Sequence, residues 1–425
     1  MKPLFDTLSP DQAIEIARKY STPVYVYSES LLQHQAQAVL SFPNPFGLTV
    51  RYAMKALPTR GILRLFHRRG LHIDASSYYE VLRAQYAGIP SKHILLTAQE
   101  LPSIGELQPF LRHGGLVTAS SLNQLEYLAS TFPGIALSLR FNPGVGSGQY
   151  QQVNVGGSSS SFGIWHEDIL VVSDILREYG CIASLIHTHI GSGTEPGIWK
   201  QAAELSLRIV DKFPSAHTLN LGGGFAVARM PDEKEADLQQ SGKEIKEALL
   251  DFQQRSGRKL TLEIEPGAYL VAQAGVLLSQ VIDVKATDTG NFIVVNSGMT
   301  EVARPALYGA QHPLAVISRR KKTLLPAPSA ERSTKSYVVA GHCCESGDVW
   351  TLAPGNQNAV LPRELPLPEI GDMVMLGGAG AYCSGMNLAG YNSFPAAAEV
   401  LLGTEGTLRL LRRRQSLDRL IQDEV

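Results

Sequence analysis

The stretch LTVRYAMKA, residues 48–56, followed by LPTRGILRLFHRRG, residues 57–70, decides the fold reading. A short apolar run rich in β-formers ends on a lysine and gives way at once to an amphipathic stretch. The same alternation recurs downstream: LHIDAS then SYYEVLRAQYAG (71–88), and LVTAS then SLNQLEYLAST (116–131). ALSLRFNP (136–143), SLIHTHIGSG (184–193), HTLNLGGG (217–224) and LTLEIEPG (260–267) continue the series of strands. Strands alternating with helices imply a parallel sheet. About eight such runs predict closure into a (β/α)8 barrel over residues 35–275, with chemistry at the C-terminal ends of the strands. Lys55, Asp74, Arg140, His189, Gly222 to Gly224 and Glu265 all end apolar runs.

After residue 275 the texture changes. VLLSQVIDVKATDTGNFIVVNSG (276–298), SYVVAGHCC (336–344) and DMVMLGGAGAY (372–382) read as strands joined by turns, which predicts a mainly β domain over 276–425. Residues 1–34 carry an isolated strand, TPVYVYS (22–28), expected to join that domain. The segments 146–163 and 319–336 read as long loops.

The chain has 425 residues, enough for two domains, and a formal net charge of -1, which gives no electrostatic case for nucleic acid or anionic membrane as partner. The N-terminus lacks an uninterrupted apolar core and does not read as a signal peptide. Four cysteines, Cys181, Cys343, Cys344 and Cys383, are too few for a disulfide scaffold and fit no zinc spacing. A cytoplasmic enzyme without a metal is the expectation.

Several residues invite chemistry. A lone lysine at a strand end is most often a solvated amine, yet Lys55 can project into a barrel mouth and condense with an aldehyde cofactor. Gly222-Gly223-Gly224 after a strand lets backbone N–H groups wrap a phosphate, although triple glycine is often only a turn. Glu265, before Pro266 and Gly267, can hold a pyridine nitrogen in its protonated state and so favour a carbanion at a substrate α-carbon. His189 can stack on a flat ring and Ser192 can donate to a phosphate, whereas His187 and His217 read as structural. Cys344 can move a proton, and Cys343 reads as an inert buried thiol. Arg304 can clamp a carboxylate.

Together, and in this order, these motifs resemble the fold type III pyridoxal-phosphate decarboxylases, the group of diaminopimelate and ornithine decarboxylases. The likeness runs from TPVYVYS to RRRQSLDRLI (412–421). RYAMKA, SGMTEVARPALYGAQHPL (297–314), GHCCESGDVW (341–350) and GAYCSGMNLAGYNSFPAAAEVLL (380–402) are closer to the diaminopimelate enzymes, as is Glu345 after the cysteine. The resemblance implies an alanine racemase-like architecture and pyridoxal 5'-phosphate as cofactor. Lys55 would hold the cofactor. His189 would stack on its ring and Glu265 would meet its nitrogen, with Asp74 also on the cofactor. Ser192, Gly223, Gly224, Gly267 and Tyr382 would surround the phosphate. Cys344 would protonate the α-carbon. Arg304, Tyr308, Glu345 and Tyr382 would bind an amino-acid substrate. Because Cys344 and Glu345 enter a neighbouring subunit's site in this family, the resemblance also implies a homodimer.

The chain departs from the family at three points. Ala268 replaces the usual Arg after Glu-Pro-Gly, and one such charged hydrogen bond contributes about 1.5–3 kcal/mol. Ser161 replaces the Lys before Phe-Gly, and His-Ile-Gly-Ser-Gly does not end in Gln. The leading expectation is decarboxylation of meso-diaminopimelate to L-lysine. Ala268 keeps open a related substrate: D-lysine, D-ornithine, carboxynorspermidine or a carrier-bound amino acid. A cofactor-free binding homologue is the non-enzymatic alternative.

Overall fold

The computed structural model describes residues 1–144, 157, 160–189, 191, 193–324 and 334–425. Most of the two long loop segments, and Ser192, lie outside the described residues. The chain divides into two compact units, one of residues 35–227 and 234–269, the other of residues 1–34, 228–233 and 270–425.

The first unit is a closed parallel barrel. Its strands are Leu48–Ala53, His72–Ala75, Ile94–Leu96, Leu116–Ala119, Ala136–Asn142, Ile182–Thr188, Thr218–Asn220 and Thr261–Ile264. Each pairs in parallel with its neighbours, and Leu48–Ala53 closes the ring against Thr261–Ile264. A short added strand, Ile164–Trp165, pairs beside Ala136–Asn142. The fold class read from the alternation is the one observed.

Local chemistry explains the turns from strand to helix. Two of them repeat one pattern. After His72–Ala75, Ser77 accepts the Glu80 N–H at 3.2 Å while the Glu80 carboxylate accepts the Ser76 N–H at 2.7 Å. After Leu116–Ala119, Ser121 and Gln124 make the equivalent pair of bonds at 3.2 and 2.8 Å. Each serine therefore satisfies an orphan N–H at the start of the helices Tyr78–Tyr86 and Leu122–Thr131. The helix Arg60–Arg68 buries Ile62, Leu63, Leu65 and Phe66, and the Phe66 ring meets Tyr52 edge-on at 4.7 Å.

The barrel interior is not wholly apolar. Arg51 and Glu263, on adjacent strands, form a bidentate pair with Nε–Oε2 at 2.7 Å and Nη2–Oε1 at 2.8 Å. Their side chains are 3% and 6% exposed, so this pair has left water. Thr97, Thr118 and Ser138 form a hydroxyl chain with links of 3.1 and 3.0 Å.

The second unit is built on a curled sheet. Its main order is Thr323–Leu324, Leu314–Ser318, Met373–Leu376, Gly275–Ala286, Val24–Ser28, Ala398–Leu402 and Leu408–Arg412. Val24–Ser28 runs antiparallel to Gly275–Ala286 and parallel to Ala398–Leu402, and all five of its residues are buried. A branch of Asn291–Val295, Thr334–Ala340 and Arg363–Pro366 leaves the far end of Gly275–Ala286.

The buried ion pair gives a stability prediction. Arg51→Met strands the Glu263 carboxylate in the interior, and Glu263→Met strands the guanidinium. Each single variant is expected to lose about 3–5 kcal/mol, with most of it recovered in the double variant, as read by urea denaturation.

Candidate active site

The site begins one step above the Arg51–Glu263 pair. Residues two apart on a strand share a face, so Arg51 and Ala53 lie on one side of the strand Leu48–Ala53, with Lys55 just past its end, as Glu265 lies just past the end of the strand that carries Glu263. Lys55 sits in the one-turn helix Met54–Ala56 that follows its strand. Its neighbours Met54 and Ala56 are buried while Lys55 is open. The strand Thr218–Asn220 adds Asn220, whose Nδ2 donates to Glu265 at 2.7 Å and to Glu263 at 3.3 Å. Its Oδ1 accepts the Gly222 N–H at 2.8 Å, which fixes the start of the glycine run.

Electrostatics bring the rest together. The Asp74 carboxyl is buried, and burial raises its pKa while Lys55, Arg140 and Arg51 oppose that rise. Glu265 is pushed up to about 8 by burial and by Asp74. His187 and His189 are held well below the ordinary histidine value, chiefly by burial and then by Arg140, so both rings are neutral at pH 7. The 3.4 Å approach of His187 Nε2 to Glu265 is therefore a contact of a neutral imidazole and not an ion pair. Lys55, Asp74, His189 and Glu265 thus belong to one cluster at the C-terminal ends of the strands.

The glycines border it. A Cβ on Gly222 would lie 2.7 Å from His189 Nδ1, and one on Gly223 would collide with the carbonyl oxygen of Glu265. Gly222 and Gly224 adopt φ of 69° and 95°. The run is tied down by Glu265 N–H to Gly222 O at 2.8 Å and Gly193 N–H to Gly224 O at 2.9 Å. Gly267 packs on Ala53, which a Cβ there would approach to 3.2 Å. Side chains are thereby kept out of the space beside His189 and Glu265. Among the described residues, Asp74 Oδ1, both ring nitrogens of His187 and His189 Nδ1 are buried without a hydrogen-bond partner. Unsatisfied buried polar atoms beside a glycine cradle suit a flat heterocycle that carries a phosphate, so the residues present fit pyridoxal phosphate.

The remaining expected residues belong to the other unit. Arg304 opens the helix Arg304–Tyr308, and its Nε donates to His312 Nε2 at 3.3 Å. The Tyr308 hydroxyl lies 3.8 Å from the Met386 sulfur. Tyr382 has a left-handed backbone, φ 56°, one of few non-glycine residues to do so. Cys344 is an exposed thiol whose N–H donates to Asn392 Oδ1 at 2.9 Å. Glu345 is exposed and meets the Tyr391 hydroxyl at 3.5 Å.

Asp348 shapes the loop that carries these two. Its buried carboxylate accepts the N–H groups of Met299 at 2.7 Å and Cys343 at 2.9 Å. It approaches Gly298 and Gly341 so closely that a Cβ on either would collide with it. Cys343 is half-buried and not the fully buried thiol expected, and partial burial and Asp348 push its pKa up to about 12, so the thiol stays protonated.

The sequence reading passed over Arg51, Glu263, Asn220, Asp348 and the part played by His187. A period-two count back from Lys55, Glu265 and His189 finds Arg51, Glu263 and His187. No comparable signal marks Asp348, because its role arises only when two loops meet. His217 is exposed, with Nδ1 3.0 Å from the Thr218 hydroxyl.

Comparison with known proteins bears on this site. A family model described as pyridoxal-dependent decarboxylase, pyridoxal binding domain, matches residues 29–272. The diaminopimelate decarboxylase of Escherichia coli K12 is 34% identical over 436 residues, covering 99% of this chain and 99% of that protein. The diaminopimelate decarboxylase of Streptomyces coelicolor is 33% identical over 416 residues, covering 96% and 90%. A crystal structure of a diaminopimelate decarboxylase superposes with a TM-score of 0.89 at 32% identity, covering 99% of both chains. That of the Helicobacter pylori enzyme complexed with L-lysine superposes with a TM-score of 0.82 at 26% identity, covering 96% of this chain and 98% of that one.

The raised Glu265 pKa predicts a pH effect in ligand-free protein. Its folded-state value of about 8 exceeds the model-peptide value of about 4.3, so this group's contribution to stability is full below the lower value and is lost as pH rises through the upper one. Glu265→Gln keeps an acceptor for Asn220 and removes the titration. The variant is expected to gain stability over the parent between those two values and to show no such gain at lower pH, as measured by thermal denaturation across pH.

Proposed function

The chain belongs to the pyridoxal-dependent decarboxylases, and we propose on that premise that it converts meso-diaminopimelate to L-lysine and carbon dioxide. The observation that carries the reading is the cluster of Lys55, Asp74, His189 and Glu265 at the strand ends, beside the cradle of Gly222 to Gly224. The relatives named above act on diaminopimelate, and one of the solved structures holds L-lysine.

When bound, pyridoxal phosphate supplies an aldehyde for amine capture and a ring that withdraws electrons from the α-carbon. Lys55 Nζ would hold the cofactor by its aldehyde. Glu265 shares a proton with the ring nitrogen. A cation there would stabilise the carboxylate form that burial now opposes. His189 would pack against the cofactor, and Asp74, with a buried oxygen that has no partner among the described residues, would help hold it. Gly223, Gly224, Gly267 and Tyr382 border the phosphate. Arg304 and Tyr308 orient a substrate carboxylate, Glu345 meets the distal ammonium, and Cys344 Sγ returns the proton to the α-carbon.

The enzyme works as a homodimer with shared sites in this reading. The exposure of Cys344 and Glu345 at the tip of a preformed loop supports it, since reactive groups left open in one chain suit completion by a second copy. We place the enzyme in the cytoplasm and in lysine biosynthesis. The four cysteines are free, which fits a reducing compartment. No helix among the described residues is long and apolar enough to cross a membrane.

Incubation with meso-diaminopimelate is expected to release carbon dioxide and L-lysine in equal amounts. Cofactor-loaded protein that releases neither overturns the assignment. Lys55→Ala should lose the visible absorbance of the bound cofactor. Cys344→Ala should keep it and lose on the order of 10²–10⁴ in kcat.

Mixing and reassociating those two inactive variants tests the shared site. Half of the reassociated dimers carry one intact site of two, so about a quarter of the parental activity should return. No recovery in a confirmed mixed dimer would show that each chain completes its own site.

A further inference from the structure

A second arginine stands beside Arg304. Arg229 belongs to the short segment 228–233 that groups with the unit containing Arg304. Its Nε donates to the carbonyl of Gly378 at 3.1 Å. Its Nη2 is shut off from solvent and has no hydrogen-bond partner among the described residues. Glu233 accepts the backbone N–H groups of Arg229 and Met230, at 2.7 and 3.2 Å.

Arg304 is anchored one peptide away. His312 Nδ1 lies 2.8 Å from the carbonyl of Gly377, and Arg304 Nε donates to His312 Nε2. Both bonds are made at once only by the neutral ring with its proton on Nδ1. Burial, then Arg304 and Arg229, hold His312 well below the ordinary value, which keeps that tautomer. Two successive carbonyls therefore grip two guanidinium groups by their Nε ends, one directly and one through a histidine. That leaves the Nη ends for other partners.

The pair is costly as it stands. Burial and the charge of Arg304 push Arg229 down to about 9. Both cations act on Cys383, and Tyr382 lies within electrostatic reach of Arg229. Two like charges, one with a donor cut off from water, are stabilised by an oxyanion that accepts from both forks.

We propose that Arg229 and Arg304 form a paired seat for the carboxylate that the substrate retains after decarboxylation, with Arg229 setting the preference for carboxylate-bearing amines. This deepens the assignment as a decarboxylase of a diamino diacid and rests on it. The two substrate carboxylates thus have different fates: one leaves, and the other is fixed between two forks.

L-lysine and cadaverine test the seat, because they share a carbon chain and two amines and differ in one carboxylate. Both are titrated into cofactor-loaded parent, Arg229→Gln and Arg229→Lys protein, with binding read from the cofactor absorbance. Removing a charged hydrogen bond is expected to weaken L-lysine about 10-fold or more in Arg229→Gln and to move cadaverine less than about 3-fold. KM for meso-diaminopimelate should rise with L-lysine's Kd. Arg229→Lys, a charge without a fork, should recover part of the loss and also show whether the fold tolerates change here. Unchanged L-lysine affinity in Arg229→Gln overturns the seat. A matching fall in pyridoxal phosphate affinity also overturns it, because Arg229 would then serve the phosphate. A parent protein that holds cofactor yet binds neither L-lysine nor meso-diaminopimelate overturns the functional assignment first, and the seat with it.

Discussion

The barrel's chemistry rests on carboxylates held inside a closed ring of strands. Arg51 neutralises Glu263 through two short bonds, and Asn220 bridges Glu263 to Glu265. This polar column rises along adjacent strands, so the position of Glu265 is set by packing below it and not by the loop above it. An isolated carboxyl at the same depth would simply stay protonated and turn away. With Asn220 donating to one oxygen and the Gly222 N–H held by the same amide, the group is fixed in orientation as well as depth.

The fold was legible because eight strand–helix alternations impose a period that few other architectures share. The clustering of the strand-end residues was legible for a related reason. Lys55, Asp74, His189 and Glu265 close apolar strands, and chemistry in such barrels gathers where strands end. Arg51 and Glu263 were hidden because a charge inside an apolar run is ordinarily read as facing outward. Only a partner on the next strand makes it an interior residue, and strand registry cannot be read from one segment. Arg229 was hidden differently. It follows the glycine run with no motif of its own, and its neighbours Arg304, His312 and Gly378 are more than seventy positions away in the chain.

The two units divide the labour along chemical lines. The barrel provides buried, weakly solvated groups whose protonation follows depth, with burial raising the pKa of Glu265 and lowering those of His187 and His189. The other unit carries the half-buried Arg304 at the start of a short helix and the exposed Cys344 and Glu345 on a loop, each segment anchored by a buried partner. His312 anchors Arg304, and Asp348 anchors the cysteine loop.

Asp348 has a consequence for assembly. Its carboxylate ties Met299 and Cys343 together and fills the space left by two absent Cβ atoms, so the turn from Gly341 to Gly347 reaches its final form within a single folded chain. A segment that orders only on docking must give up conformational freedom at that moment, and its affinity falls accordingly. Here most of that entropy has already been lost during folding. In the proposed homodimer the tip would dock as a rigid body, with association opposed mainly by loss of overall translation and rotation.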